Sequence, residues 1–303
     1  MSKKKIYYWA SDLRIESGEG ILANKYLGDL KKQNKKYKFI PLNNNKKENY
    51  NSIYSKYFKP LYSILKINFH NLNGYKTCYI NYLPLWNFFL FILLPKNTIL
   101  GPVTGTVYNK NQNLFLKIRY KFLIYFFYKI SLFFIFNKWN KINFSTNMLQ
   151  DQIPKKYLKK CSFNYVLKNF KQNLKTKKNK KILFYFRKHP TKYNHNLISN
   201  LEILSKDIKI DVIGETLKSD IFYNYGKVSK KKYENCLKNY QYTFNGLENL
   251  YSLHLINSLK NNLTIFCDKN LKKFYNGLRS SKIIFIDFSD KNLHKKLIKI
   301  INN

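Results

Sequence analysis

The stretch KIYYWASDLRIESGEGILANKYLGDL, residues 5–30, decides the fold. Lys5–Ala10 is an apolar, aromatic run of strand length. Ser11–Gly20 is a loop holding Gly18 and Gly20, and Ile21–Leu30 has helical spacing. Strand, glycine-containing turn and helix in that order open a parallel α/β sheet, where each strand leads into a helix that covers one sheet face.

Outward from there the pattern repeats. Lys38–Leu42 reads as a second strand, and Ile53–Ile67 suits a helix that Pro60 should kink or divide. Thr77–Leu83 and Thr98–Leu100 read as strands, ended by Pro84 and by Gly101-Pro102. Leu114–Phe136 is helical by length, and Lys141–Phe144 closes this half. Around Asn169–Lys181 the pattern gives way to Lys, Asn, Gln and Thr, the composition of a linker.

A second alternating series follows. Strands are expected at Ile182–Phe186, Ile208–Ile213, Tyr240–Phe244, Leu263–Cys267 and Ile283–Ile286. Helices are expected at Asn194–Leu204, Ser229–Leu237 (Ser229 as N-cap), Leu250–Leu259 and Leu293–Ile301. The expected organisation is therefore α/β. It has a first domain over 1–168, a basic linker over 169–181, a second domain over 182–290 and a terminal helix over 291–303 that returns toward the first domain. Parallel sheets of this kind bind ligands at the carboxyl ends of their strands, so the site is expected in a cleft between the two domains.

Composition bounds the partners. The 303 residues are 45% hydrophobic, which supports sizeable cores and excludes a disordered chain. The formal net charge of +40 would attract polyanions: nucleic acid, anionic lipid or nucleotide phosphates. The plain alternative is drift toward A/T-rich codons. Cys78, Cys161, Cys236 and Cys267 are too widely spaced for a metal-ligand run and read as core residues in a reducing compartment. No signal peptide is read at the start. Phe122–Phe136 is strongly apolar but interrupted by Lys129 and flanked by Lys117, Arg119, Lys121 and Lys138. It reads as an interfacial helix on an anionic membrane or a helix covering a sheet, rather than a span.

Four loops hold candidate chemistry. In a chain with 16 acids, Asp12, Glu16 and Glu19 gather just past the first strand, and Asp12 or Glu19 suits a general base toward a sugar hydroxyl. Gly18 and Gly20 would let backbone N–H groups approach an anion at the helix start. Gly101–Thr106 offers a turn with two hydroxyls that suits an acceptor or a phosphate, or simply ends a strand. Arg187-Lys188-His189-Pro190-Thr191-Lys192 follows the first strand of the second half. There Arg187 and Lys192 are placed to neutralise a diphosphate leaving group, and His189 to hydrogen-bond a phosphate or cap the turn. Asn245-Gly246-Leu247-Glu248-Asn249, with Ser252 following, puts a carboxylate beyond a strand, where it would accept two sugar hydroxyls or stabilise a helix start.

With these residues in place, the sequence resembles the nucleotide-sugar glycosyltransferases of the GT-B fold, with two Rossmann-like domains. The resemblance covers nearly the whole chain. It implies that Arg187 and Lys192 grip the donor diphosphate, that Tyr225–Ser229, with Val228, lies beside the nucleotide base, and that Glu248, Asn249 and Ser252 belong to the acidic donor motif. It also implies that Gly18–Gly20 lies near the donor phosphates. Where many retaining members carry a second Glu and then a Gly, this chain has Asn257 and Asn261-Asn262, which leaves retaining and inverting chemistry open. The implied substrates are a sugar nucleotide and a glycan or lipid-linked glycan acceptor of surface polysaccharide or lipopolysaccharide. No separate cofactor and no metal are implied, and the setting is cytoplasmic, peripheral on the inner face of the membrane. Two alternatives remain: a non-catalytic glycan-binding or membrane scaffold, and a nucleic-acid-binding protein, which the absence of a known binding module disfavours.

Overall fold

The computed structural model describes residues 4–14, 17–43, 58–105, 118–165, 179–188, 193, 195–247, 249–275 and 282–302. The chain divides into two compact units between Tyr165 and Val166. Both are α/β with parallel sheets, as the alternation of strands and helices requires.

The first unit holds a four-stranded parallel sheet of order β2-β1-β3-β5, with β1 at Lys4–Trp9, β2 at Tyr37–Pro41, β3 at Lys76–Tyr79 and β5 at Ile99–Leu100. Between β1 and β2 runs α1, Gly18–Gln33, capped by Ser17. It buries Gly20, Ala23, Leu27 and Leu30 as one stripe at helical spacing against Ile6, Tyr8 and Cys78 of the sheet. Helix α2, Lys59–Leu72, holds Pro60 in its first turn. Pro60 thus starts the helix rather than kinking it, because the amide it lacks would have no partner there. Helix α3 spans Phe88–Leu93 and α4 spans Tyr125–Lys138, the latter preceded by a π-turn at Tyr120–Ile124. Short parallel pairs complete the unit: β4 (Leu83–Pro84) with β6 (Val103–Thr104), and β7 (Ile142–Asn143) with β8 (Cys161–Ser162).

The second unit carries a six-stranded parallel sheet of order β11-β10-β9-β12-β13-β14. Its strands are β9 at Asn179–Phe186, β10 at Ile210–Gly214, β11 at Tyr223–Asn224, β12 at Tyr240–Phe244, β13 at Thr264–Asp268 and β14 at Ile283–Ile286. Strand β9 starts at Asn179, so residues 179–181 of the expected linker pair within the sheet instead; residues 169–178 lie outside the described residues. Helices α5 (His195–Leu204), α6 (Lys230–Asn239), α7 (Leu253–Lys260) and α8 (Leu293–Asn302) cover it, and Ser229 caps α6 as its sequence suggests.

Helix α8, expected to return toward the first domain, buries Leu293, Leu297 and Ile301 in the second unit's core beside Leu197, Leu201 and Leu204 of α5. Each such aliphatic side chain contributes about 1.5–3 kcal/mol of burial, which binds α8 to this unit. Cys78, Cys236 and Cys267 are buried, Cys161 is half-buried, and all four are free thiols.

Candidate functional site

Each sheet has one place where the strand order reverses. In the first unit the chain goes from β1 to β2 on one side and to β3 on the other; in the second it goes from β9 to β10 and β11, then crosses to β12. Loops leaving the two central strands diverge there and open a crevice at the carboxyl ends, the usual ligand position in such sheets. All four candidate loops but one, Gly101–Thr106, flank these two reversals.

In the first unit the loop after β1 is stapled across the reversal to Asn81, just beyond β3. Asp12 N–H donates to Asn81 Oδ1 at 3.5 Å, and Asn81 Nδ2 donates to the Asp12 carbonyl at 3.0 Å. The Asp12 side chain is engaged on both oxygens. Arg14 donates from Nε to Oδ1 at 3.1 Å and from Nη2 to Oδ2 at 3.0 Å, and Ser17 Oγ donates to Oδ2 at 2.5 Å. Desolvation pushes this carboxyl up, but the Arg14 and Ser17 hydrogen bonds and the Arg14 charge outweigh it and hold the group below its ordinary range. As arranged, Asp12 organises the loop.

Gly20 was expected to bring a free N–H to a ligand. Its N–H donates to Ser17 Oγ at 2.8 Å instead, and a Cβ there would stand 2.1 Å from the Arg14 carbonyl oxygen. Glycine is needed because the loop backbone crosses directly over the first helical turn. Gly18 opens α1 and is exposed. Glu19, beside it, is exposed. Desolvation, then the Asp12 carboxylate, pushes Glu19 above the usual glutamate value. Of the two acids, Asp12 is bound by Arg14 and Ser17, while Glu19 is the more basic carboxylate. Glu16 lies outside the described residues.

The Gly101–Gly105 turn is built into strands: Leu85 N–H donates to Thr104 O at 2.8 Å and Ser145 N–H to Val103 O at 2.9 Å. It reads as a strand-ending turn; Thr106 lies outside the described residues.

In the second unit Arg187 and Lys188 emerge exposed from the end of β9. Next to them stands Glu215, directly after β10, which no motif in the sequence marks. It follows Gly214, whose φ of +111° and closeness to Phe186 O (2.3 Å for a built Cβ) leave room only for glycine. Lys188 N–H donates to Glu215 Oε2 at 2.6 Å, and Lys227 Nζ lies 3.7 Å from Oε1. The Lys188 amide, foremost, and the Lys227 and Arg187 charges hold Glu215 below the ordinary glutamate range against desolvation. His189, Lys192 and Glu248 lie outside the described residues.

Across the reversal, Asn245 directly follows β12 and is fully buried. Its Nδ2 donates to Asn249 O at 3.0 Å and Leu250 O at 3.2 Å, and its Oδ1 accepts from Ser252 Oγ at 2.7 Å. Ser252 also caps α7, accepting from Leu255 N–H at 3.0 Å, while Asn249 Oδ1 accepts from Tyr251 N–H at 3.0 Å. Asn249 and Ser252, expected to touch the donor, use these side-chain oxygens to shape the loop. Val228, expected beside a base, packs against Leu183, Ile213 and Leu237.

Beneath this loop lies a chain that sequence spacing did not suggest. Thr243 Oγ1 donates to Leu183 O at 2.5 Å, so it accepts from His254 Nε2 at 2.8 Å; Tyr233 OH then donates to His254 Nδ1 at 2.6 Å. The ring stacks 4.9 Å from Tyr185. It ties α6, α7, β9 and β12 together under the crevice.

Among solved structures, the chain is similar to Anabaena HepE crystallised with UDP and glucose (9% identity, TM-score 0.52, covering 99% of this chain and 89% of that one). It is similar also to the Methanocaldococcus jannaschii UDP-GlcNAc 2-epimerase with UDP-GlcNAc and UDP (12%, TM-score 0.52, 100% and 93%). A third similar structure is Staphylococcus aureus MnaA with UDP (11%, TM-score 0.53, 99% and 88%). The chain has the GT-B fold. No protein-family model matches the sequence, and no curated protein matches it. Two Rossmann-like units with parallel sheets account for the likeness, and at these identities the likeness carries fold alone.

Proposed function

We propose that the protein is a glycosyltransferase that moves a sugar from a nucleotide diphosphate to a hydroxyl of a glycan or lipid-linked glycan. The observation that carries this reading is the exposed Arg187 at the carboxyl end of β9, where the second sheet reverses its strand order. A guanidinium in such a crevice matches a diphosphate in charge and geometry. The UDP held by the similar structures fits the same chemistry.

In the proposed reaction the bond between the anomeric carbon and the diphosphate oxygen breaks, and Arg187 with Lys192 takes up the developing negative charge. Glu248 orients the donor. The acceptor oxygen bonds the anomeric carbon and gives up its proton; where transfer inverts that carbon, Glu19 receives it. The acceptor is a surface-polysaccharide or lipopolysaccharide precursor met at the cytoplasmic face of a membrane.

A second reading, rearrangement of the sugar while it stays on its nucleotide, is favoured by the likeness to the M. jannaschii epimerase. One experiment addresses both. The protein is screened by thermal shift against sugar nucleotides and free nucleoside diphosphates, and the best ligand is then incubated with and without glycan acceptors. A donor at a hundredfold excess over Kd should add about 2.7 kcal/mol of stability. Release of nucleoside diphosphate that needs an acceptor supports transfer, and an altered sugar nucleotide formed without acceptor supports epimerisation. Stabilisation by no ligand at millimolar concentration sinks both.

A further inference from the structure

Helix α2 is inside out relative to an ordinary surface helix. At 3.6 residues per turn, Phe58, Leu61, Tyr62, Leu65, Phe69 and Leu72 fall within an arc of about 100°, and every one is exposed, Leu65 to 68% and Leu72 to 87%. The buried residues Ser63, Ile64 and Ile67 occupy the opposite side against β1 and β3. A helix with one face in the core should turn polar residues outward; this one has a second apolar face.

The face does not stop at α2. Asn68 Nδ2 donates to Leu93 O at 3.1 Å, joining α2 to the end of α3, where Leu93 itself is exposed. Helix α3 in turn packs on α4 through Phe88 and Phe127, 5.2 Å apart, and Lys138 Nζ donates to Leu94 O at 2.9 Å. On α4, Phe126 and Phe133 point outward opposite buried Ser131 and Ile135, with Phe122 exposed one turn earlier. Among the described residues, sixteen large hydrophobic side chains stand exposed in the first unit against three in the second.

Charge narrows what covers this surface. Residues 49–150 contain twelve Lys or Arg and no Asp or Glu. Lys59 and Lys66 lie along one edge of the apolar arc of α2, Lys66 standing 4.5 Å over the Tyr62 ring. Exposed Lys96 lies just beyond α3, exposed Arg119 and Lys121 lie before α4, and exposed Lys129 lies on it. Apolar side chains interleaved with lysines whose stems lie along them suit the boundary between lipid headgroups and acyl chains. Among the described residues no helix is long and apolar enough to cross a membrane.

We propose that the outer faces of α2, α3 and α4 seat the first unit on an anionic phospholipid surface, with Leu65 and Phe69 among the inserted side chains. This deepens the reading of a lipid-linked acceptor, but its test uses no sugar nucleotide, so the two fail separately. The full chain is co-sedimented with phosphatidylcholine vesicles, with and without roughly one-third phosphatidylglycerol. A double variant, Leu65→Ser with Phe69→Ser, keeps every charge. Partition onto anionic vesicles should fall about tenfold or more, and melting should be unchanged because both side chains are exposed. Lys231→Gln with Lys238→Gln, on α6 of the second unit, should change partition far less. If the first variant fails to fold, Phe126→Ser with Phe133→Ser on α4 reads the same surface. Equal partition of the charge-preserving variants and the parent overturns the proposal. So does indifference to phosphatidylglycerol. A parent that dimerises through this face and ignores vesicles, as light scattering would show, also overturns it.

Discussion

The two strand-order reversals are wired alike and furnished differently. After β1 the charges close on one another: Asp12 is held by Arg14 and Ser17, and the loop is stapled to Asn81. After β9 the backbone is anchored through Glu215, while the Arg187 side chain stands exposed. One topology thus yields a crevice whose polar groups hold its own loop and another that presents a cation at its mouth. The difference lies in which charged residue the chain meets first beyond the strand: Asp12 with Arg14 two residues on, or Arg187, whose nearby acid, Glu215, follows the neighbouring strand.

The largest effects should come from the glycines that let these loops pass. Gly20→Ala sets a Cβ 2.1 Å from the Arg14 carbonyl oxygen, and Gly214→Ala sets one 2.3 Å from the Phe186 carbonyl oxygen. Backbone atoms cannot swing aside as a side-chain tip can. Each substitution should cost about 1–3 kcal/mol, the range of overpacking, read by denaturant titration. A loss below a few tenths of a kcal/mol at Gly20 would mean the first crevice is not built as tightly as the comparison requires.

Arginine truncations sharpen the contrast itself. Arg187→Ala should weaken binding of a sugar nucleotide by about tenfold to a hundredfold, with little change in melting, since Glu215 keeps the Lys188 amide and Lys227. Arg14→Ala should do the reverse: a stability loss of about 1–2 kcal/mol from leaving the Asp12 carboxylate short of partners, with a smaller change in ligand affinity. Isothermal titration and thermal melts on both variants decide it, and matching phenotypes would break the comparison.

The strands and helices were largely legible because their signal is local. Tyr240–Phe244 and Ile283–Ile286 were read to the residue, and α5, α6 and α8 to within two. Two-residue pairs such as β4 with β6 escaped because a pairing that short leaves no alternation in the sequence. The helix expected over Ile53–Ile67 continues to Leu72 and holds Pro60 in its first described turn, where proline starts a helix rather than breaking it; residues 53–57 lie outside the described residues. The site was less legible. Asp12 and Glu19 carry the same charge seven residues apart, and only packing shows that one is bound and the other perturbed. Glu215 and His254 belong to the crevice through partners 27, 11 and 21 residues away, distances that no spacing rule reaches.

The smallest effect tests how Asp12 and Glu19 are coupled. Asp12 has a depressed folded-state pKa, so its contribution to stability is present above the unfolded aspartate value of about 3.9 and is lost as pH falls through the lower folded value. Asp12→Asn should therefore destabilise the protein at neutral pH, and the gap from the parent should close in strong acid. The same substitution removes the second cause that raises Glu19, the nearby negative charge, and leaves the Arg14 guanidinium without its carboxylate. Both changes favour ionised Glu19. If Glu19 is the base, the acid limb of the transfer rate should move to lower pH in Asp12→Asn and not return to the free-glutamate position, because desolvation, the first cause, is untouched. A limb that stays put while stability falls would show that Asp12 holds the loop without tuning its neighbour. A limb that moves upward would mean the base is another group.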